Sequence, residues 1–518
     1  MMNINELMNG IEIIERKNAR ALEISGVAYH SGKVAPGNVF VCIKGYLTDG
    51  HKYLKQAIGN GATAAVVEEF QEDVEIPQYL VKDSRIALAS MGSTFYGFPS
   101  RKMKMIGITA TNGKTTTSYM TNSIFEAMGL RTGLIGTVMI KNHDHHIAAD
   151  LTTPESLDLQ GYLAEMVGND VTHVTMEVSS SALELNRVYG VDYDIVAFNN
   201  LSREHIDMHG SFEEYFSAKS SLIRNVSESS TAILNLDCPY ASSLVTQTKA
   251  QVITYGLKEH SGHILCKDLD LTTGRGRFTV VVAKPFAVGD AHCPRVEFDV
   301  ELAVPGLHSV YNALAAVAIS LATGAPVDAI QKGLKQFKGV ERRFEFIYEG
   351  DFIIIDDHFA NAGNIDVTLR TLDYMKYNDL QLVYAIRGNR GPIVNRENAE
   401  TIAKWSKILG FSEVIATKSV KHTTSKDLVT DEEVNVFLEV MNDAGLVVHL
   451  HDGLAEAISE GLSKAEHDDL VLLAGCQGMD FGAEVALHQL LELIPGVDKV
   501  KVLEPLRTRV CGISNTFI

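Results

Sequence analysis

The sequence predicts an α/β protein of several domains, built on a central parallel sheet with a phosphate-binding loop and ending in a second doubly wound unit. Three observations carry that prediction. The chain has 518 residues, too many for one hydrophobic core, so about two to four domains are expected. From about residue 99, strand-like apolar runs alternate with helical patterns, and after an interruption the alternation returns from about residue 340. The stretch Met105–Thr117, MIGITATNGKTTT, reads as a buried strand, a tight glycine turn and the start of a helix.

Taken in order, residues 1–98 form a small α/β unit with strands expected at Val39–Ile43, Ala64–Val67 and Gln78–Val81. The Pro36-Gly37 pair marks the turn before the first of them. Residues 99–339 form a central unit whose strand candidates are Met105–Thr109, Gly133–Val138, His173–Val178, Asp194–Asn199, Ala232–Leu236 and Val252–Tyr255. Within 263–306, Arg277–Val282 and Val296–Val304 read as an antiparallel insertion, and His308–Ala322 has helical apolar spacing. Residues 340–518 carry Phe352–Ile355, Leu382–Ile386, Glu413–Ala416, Val447–Leu450 and Leu470–Leu473, the strands of the second doubly wound unit.

Composition narrows the function. A formal net charge of −19 argues against nonspecific binding to nucleic acid or to an anionic membrane. The N-terminus lacks a basic segment followed by an apolar run, and no apolar stretch is long enough to cross a bilayer. Six cysteines without CxxC spacing read as reduced structural thiols of a cytoplasmic protein and do not suggest a zinc site. A monomer acting on small molecules is expected.

The chemistry begins at Asn112-Gly113-Lys114-Thr115-Thr116. Backbone amides and a helix N-terminus at this turn face an anion. Lys114 can reach outer phosphates, and the Thr115 hydroxyl can ligate Mg²⁺, which points to a nucleoside triphosphate. The general pattern G-x-x-x-x-G-K-[ST] puts its first glycine where this chain has Ile108, and Gly107 lies one residue further out. By itself Gly-Lys-Thr after a strand is also compatible with an ordinary strand–helix turn. Glu177 lies near the end of an otherwise apolar strand, where α/β sheets bind ligands, and can hold a metal that bridges phosphates; a helix-capping carboxylate is the plainer alternative. After the next strand comes a polar run, Asn199 to Gly210, in which His205 could ligate metal and Asp207 could orient it.

Several motifs then occur in a fixed order: Gly113-Lys-Thr-Thr-Thr117, Thr152-Thr153-Pro154-Glu155, Glu177-Val-Ser-Ser180, Asn200-Leu-Ser-Arg-Glu-His205-Ile-Asp-Met-His-Gly210 and Glu214-Tyr-Phe-Ser-Ala-Lys219. Together they resemble the Mur ligases over most of residues 25–345. Within that family the likeness is greatest to the members that add the third amino acid to the UDP-N-acetylmuramoyl peptide of peptidoglycan. The resemblance implies three domains: one holding the UDP-substrate (1–98), a central ATP-binding domain (99–339) and a C-terminal Rossmann-like domain carrying the acceptor amine (340–518). It implies ATP and Mg²⁺, a substrate carboxylate activated as an acyl phosphate, and capture of that acyl group by an amine.

Residue by residue, the resemblance gives Lys114, Thr115 and Thr116 a phosphate or metal role, with Asn112 and Gly113 in the same loop. Glu177 and His205 match metal ligands. Lys219 matches a lysine that the family carbamylates into an anionic ligand, where the sequence alone indicates a solvated helix lysine. Thr152, Thr153, Ser179 and Arg187 match positions around the muramoyl-peptide substrate. Asn312 and Arg343 match nucleotide-side positions; without the resemblance they are a helix-face amide and a hinge arginine. Ser31 is the part retained of an Asp-Ser-Arg triplet for the uridine, with Asp49-Gly-His51 as a second piece.

The departures are specific. Ala110 stands where the family has glycine, which predicts a slightly different loop, and Ser181 replaces a histidine. In the C-terminal part Asp356-Asp357-His358 stands near an Asp-Tyr-Ala-His motif, and Arg387-Gly388-Asn389-Arg390-Gly391 partly matches a Gly-Gly-Asp-Arg segment. An Asp-Asn-Pro-Arg signature is missing near Thr417-Lys418-Ser419, and Gly475-Cys476-Gln477-Gly478 replaces Gly-Lys-Gly-His. Three readings follow: a ligase acting on a UDP-muramoyl dipeptide, a Mur-like ligase of specialised metabolism joining another carboxylate and amine, and a silent nucleotide-binding scaffold. The presence of Glu177, His205 and Lys219 argues against the third.

Overall fold

The computed structural model describes every residue except 46–47, 203–210, 272–273, 508, 510 and 514–518. Contacts group the chain into two bodies. The first comprises Met1–His263, Lys284–Pro294 and Ala315–Pro326, and the second Ile264–Ala283, Arg295–Leu314 and Val327–Ile518.

The first body opens with a five-stranded sheet: β1 (Ile13–Lys17), β2 (Gly26–Ala28), β3 (Asn38–Val41), β4 (Ala64–Val67) and β5 (Gln78–Val81). The order is β1-β5-β4-β3-β2, parallel except for β1. Strands β3 and β4 are buried along their whole length, as parallel strands covered on both faces require. Helix α1 (Ser84–Phe95) starts at Asp83, whose carboxylate accepts from the amides of Arg85 and Ile86, and buries Leu88 and Met91 against this sheet.

The central sheet of the same body contains β6 (Lys104–Thr109), β7 (Thr132–Ile135), β8 (Met139–Asn142), β9 (His145–Ala148), β10 (His173–Glu177), β11 (Ile195–Phe198), β12 (Thr231–Asn235) and β13 (Gln251–Gly256). Their order is β9-β8-β7-β10-β6-β11-β12-β13. All the expected parallel strands are present, and β7–β8–β9 adds an antiparallel meander that the sequence did not announce. Strand β6 has β10 on one side and β11 on the other, both parallel to it. The chain leaves β6 toward β7 and later returns to the opposite side at β11, so the order reverses beside the carboxyl end of β6, where such sheets bind ligands.

Helix α2 (Lys114–Ala127) follows that end directly, and Gly113 precedes it with φ 84°. Gly129, with φ 79°, stops it, and the Leu130 amide closes the helix end by donating to Phe125 O at 3.1 Å. Helices α3 (Ser156–Gly168), α4 (Ser180–Glu184) and α5 (Phe212–Arg224) follow in chain order.

The second body begins with the antiparallel strands β14 (Ile264–Asp270), β15 (Arg275–Val282) and β16 (Glu297–Pro305), as expected for that insertion. Helix α6 spans Leu307–Ala322, of which the part up to Leu314 belongs to this body and the rest to the first, and α7 spans Val327–Gln336. A six-stranded sheet follows: β17 (Glu345–Glu349), β18 (Ile353–Asp357), β19 (Leu380–Ala385), β20 (Glu413–Thr417), β21 (Val447–His451) and β22 (Leu470–Gly475), in the order β17-β18-β22-β19-β20-β21. Only β17 is antiparallel. Helices α8 (Ala362–Leu372), α9 (Gly391–Leu409) and α10 (Asp431–Asp443) contribute to the core on one face, and α11 (Leu454–Lys464) and α12 (Gly482–Leu493) to that on the other.

The N-terminus of α9 is closed from within the protein. Glu433 accepts from the amides of Asn389, Arg390 and Gly391 at 3.2, 2.9 and 2.8 Å, and it completes a capping box with Thr430. Burial raises the Glu433 carboxyl, but the bonds from the amides of Thr430, Arg390, Gly391 and Asn389 more than reverse this and hold it below its ordinary value. Glu433→Ala is therefore expected to lose about 2 kcal/mol of stability at neutral pH in urea unfolding. A depressed carboxylate stabilises the fold above its unfolded value, 4.5, and that contribution disappears as the pH falls below it. The gap between wild type and variant should narrow in the same range, and a gap independent of pH would contradict this account.

Candidate active site

At the carboxyl end of β6 the loop Ala110–Gly113 turns into α2. Gly113 is the residue in the left-handed region, whereas Ala110 is buried with φ outside it. Alanine is thus accommodated without strain, and the loop change expected from Ala110 is not required. Gly107 serves strand packing and lies outside the phosphate loop, since a Cβ there would come within 2.7 Å of the Tyr193 ring. Asn200, after β11, fixes the loop. Its Oδ1 accepts from Asn112 N at 3.0 Å, its Nδ2 donates to Asn112 O at 2.8 Å, and its own carbonyl accepts from Thr111 N at 3.0 Å.

Two lysines converge on one carbonyl oxygen. Lys114 Nζ donates to Ala110 O at 2.9 Å and Thr111 O at 3.1 Å. Lys219, from α5, donates to the same Ala110 O at 2.8 Å. Lys219 is 2% exposed, with its ammonium 5.0 Å from the Tyr215 ring centroid. The solvated helix lysine that sequence alone indicates is therefore not what is found.

Glu177, at the end of β10, is fully buried. Its Oε2 accepts from the Thr115 hydroxyl at 2.9 Å and the Thr137 hydroxyl at 3.0 Å, and its Oε1 from Thr137 N at 2.9 Å. Gly136 leaves room for it, since a Cβ there would lie 2.3 Å from Oε1. The Thr137 hydroxyl also meets that of Thr152 at 3.1 Å. Thr153 donates to the Glu177 carbonyl at 2.8 Å and its Oγ1 accepts from Ser179 N at 3.1 Å. Arg187 donates to Thr153 O at 3.3 Å and pairs with Glu155 at 2.9 Å, while Arg85 reaches the other oxygen of Glu155 at 3.4 Å.

The structure thus brings Asn112, Gly113, Lys114, Thr115, Glu177, Lys219, Thr152, Thr153, Ser179 and Arg187 together at one end of the central sheet. Thr116 is half-buried in the first turn of α2. Ser31 lies after β2 in the N-terminal sheet, donating to Gln56 at 3.0 Å. His51 is locked there by Asp49 at 2.6 Å and by Glu68 N, which donates to its Nε2 at 3.0 Å. Asn312, buried in α6, and Arg343, half-buried just before β17, belong to the second body. His205 and Asp207 lie outside the described residues.

Thr137, Gly136 and Asn200 are contributions that the sequence alone does not assign. The apolar run Gly133–Val138 reads as one strand, but β7 ends at Ile135, which places Gly136 and Thr137 in the turn at the site. The signal was the Gly-Thr pair interrupting that run.

Buried carboxylate and hydroxyl oxygens suit a hard divalent cation that takes its remaining ligands from phosphates and water. Among the described residues no group of three or more His, Cys, Asp or Glu is arranged to hold a metal. Thr115 and Glu177 could each offer an oxygen to such a cation. No helix among the described residues is long and apolar enough to cross a membrane.

Comparison with known proteins agrees with this geometry. Residues 23–96 match the family model "Mur ligase family, catalytic domain", 108–320 match "Mur ligase middle domain" and 342–477 match "Mur ligase, glutamate ligase domain". A UDP-N-acetylmuramoyl-L-alanyl-D-glutamate–2,6-diaminopimelate ligase of Bacillus licheniformis is 35% identical over 489 residues, 91% of this chain and 95% of that protein. The ligase of the same name from Caldanaerobacter subterraneus is 33% identical over 92% of this chain and 94% of its own length. Among solved structures, a ligase of that name superposes with a TM-score of 0.66 at 22% identity, covering 93% of this chain and 94% of that one. A MurF ligase from Thermotoga maritima in complex with ADP gives 0.60 at 19% identity, covering 93% and 98%. With three domain models in order and relatives a third identical over nine-tenths of both lengths, the chain belongs to the Mur ligase family of ATP-dependent amide ligases.

Proposed function

We propose that this protein uses ATP to activate the terminal carboxylate of a UDP-N-acetylmuramoyl dipeptide and joins it to the amine of an amino acid. The observation that carries the reading is the position of Glu177. Its carboxylate is bound by Thr115 of the phosphate loop and by Thr137, which touches Thr152; its carbonyl is bound by Thr153. One buried residue thereby joins the nucleotide side to the residues assigned to the muramoyl-peptide substrate.

In this reading the substrate carboxylate oxygen attacks the γ-phosphorus and ADP leaves. The amine nitrogen then attacks the acyl carbon, phosphate leaves, and the nitrogen gives up its proton as the amide forms. Lys114 holds the transferring phosphoryl oxygens, and Arg187, held by Glu155, faces the anionic substrate together with Thr152, Thr153 and Ser179. Thr115 and Glu177 would hold Mg²⁺, with His205, and the ion offsets phosphate charge when bound. Two ammonium groups meet on Ala110 O, which favours loss of a proton from one of them. The neutral Lys219 amine would then add CO₂ and release a second proton, and the resulting carbamate would replace a positive charge by a negative one and offer an anionic oxygen to Mg²⁺. Thr116 and Asn112 serve the nucleotide in the first body, Ser31 the uridine, and Asn312 and Arg343 keep the nucleotide role that the resemblance gives them. The working division is 1–98, 99–339 and 340–518, with activity in the cytoplasm.

The relatives' names favour a UDP-muramoyl dipeptide over a carboxylate of specialised metabolism, and they make 2,6-diaminopimelate the first acceptor to try. The protein should be assayed for phosphate release with ATP, Mg²⁺ and UDP-muramoyl dipeptide against a panel of amino acids. Release is expected only when both the dipeptide and one class of amine are present. Failure with every amine would overturn the reading.

A further inference from the structure

The turn that carries Arg343 is built from unfavourable backbone. Arg342 has φ 57° and Phe344 φ 51°, so two bulky residues on either side of Arg343 occupy the left-handed region that such side chains avoid. Strain of this kind persists only where the surroundings over-determine it, and it collects at functional sites. The surroundings here are carboxylates. Arg342 N donates to Glu345 Oε2 at 2.9 Å, Phe344 N to Asp357 Oδ1 at 2.7 Å, and Arg343 N to Val340 O at 3.0 Å. His358 N closes the turn from β18 by donating to Arg342 O at 2.9 Å. The Arg342 guanidinium is buried against Asp356, Asp480 and the carbonyl of Gly475.

This arrangement gathers four carboxylates around one turn, and the second cation comes from near the end of the chain. Arg509, itself buried, places Nη2 on Asp356 Oδ2 at 2.6 Å and on Glu345 Oε2. Glu345 Oε2 is thus shared: the same oxygen accepts from Arg509 and from the amide of Arg342. Without Arg509, Asp356 keeps Arg342 as its cation, but Glu345 loses its guanidinium and is left half-buried beside Asp356 with the Arg342 amide on its Oε2. Burial already raises the Glu345 carboxyl against the opposing effect of Arg509. A Glu345 that turns toward water releases the Arg342 amide, and the strained turn has less to hold it.

We propose that Arg509 is a positioning residue for Arg343, reaching the nucleotide side through Glu345 and the Arg342 turn. The inference rests on the reading that Arg343 meets the nucleotide. The full-length chain should be titrated with a non-hydrolysable ATP analogue by calorimetry, with melting temperatures recorded alongside. Arg343→Ala should weaken binding about tenfold, the loss of one charge-assisted contact. Arg509→Met should weaken it by a similar factor, and should add nothing in the Arg343→Ala background because both act through one side chain. A general loss of stability would lower melting in both backgrounds without that non-additivity. If Arg509→Met does not fold, Glu345→Gln carries the same test, with about a threefold loss that also vanishes in Arg343→Ala. An analogue that fails to bind wild type, or binds Arg343→Ala equally well, overturns the assignment of Arg343. A tenfold loss in Arg343→Ala with wild-type binding in Arg509→Met and Glu345→Gln overturns the positioning role alone.

Discussion

Lys114→Ala should lower turnover by about a thousandfold or more while leaving the fold in place. The loss is large because both reactants are anions. The γ-phosphoryl group gathers charge on its oxygens as a carboxylate approaches it, and a cation placed beforehand stabilises that state far more than the ground state. The Lys114 ammonium is already in place, bonded to the carbonyls of Ala110 and Thr111 in the loop proposed to cradle the phosphates. The fold should survive because Lys114 opens α2 and is not fully buried, and alanine is the strongest helix former. Arginine in its place should also fail, since a planar fork on a longer stem cannot take up the geometry of a compact ammonium. The measurement is ADP formation under single-turnover conditions, with circular dichroism and melting as controls. Turnover within tenfold of wild type would remove Lys114 from the phosphoryl-transfer step.

Much of this site was legible in the sequence because its parts are short and local. A buried strand, a glycine that can adopt φ 84° and a lysine opening a helix are determined within a few residues, and the structure places them as read. The same is true of Glu177, because a carboxylate at the end of an apolar strand has few places to go other than the ligand-binding edge of the sheet. What was not legible depends on chain closure. The Gly136-Thr137 pair marks where the run 133–138 breaks, but nothing local shows that the turn there meets Glu177, 40 positions away. The significance of Gly107 could not be read either, because Tyr193, the ring that requires it, enters from a segment 86 positions later. Lys219 needed the fold as well, since its partner carbonyl at Ala110 is 109 positions away in sequence.

The second body shows the same division. Its strands were visible as apolar runs, and all five expected parallel strands are found. Arg342 and Arg509 were not assigned any role. An arginine is ordinarily exposed, and nothing in a window of sequence shows that two of them are buried among Glu345, Asp356 and Asp480. Charge networks of this kind are set by which strand ends meet. Strand β22 lies next to β18, although more than a hundred residues separate them in sequence, and this brings Asp480 and Asp356 to one guanidinium.

The second large effect is expected at Glu177. Glu177→Gln should reduce kcat by about 10²–10³ and raise the Mg²⁺ concentration needed for half-maximal activity, with little change in melting. Glutamine is chosen because it separates charge from shape. The Thr137 amide can still find a carbonyl oxygen at the position of Oε1, and the hydroxyls of Thr115 and Thr137 can rotate to accept from the new NH₂ group. The cavity beside Gly136, which admits no Cβ, still admits the planar side-chain end. What is lost is one negative charge buried beside Thr115 at the start of α2, and a cation is bound by charge as much as by geometry. If Glu177 serves only to tie β10 to the turn after β7, the isostere should keep both the turnover and the Mg²⁺ dependence of the wild type. A changed Mg²⁺ dependence at unchanged melting temperature assigns the carboxylate to the metal, because a tether and a ligand share every hydrogen bond here and differ only in the need for charge.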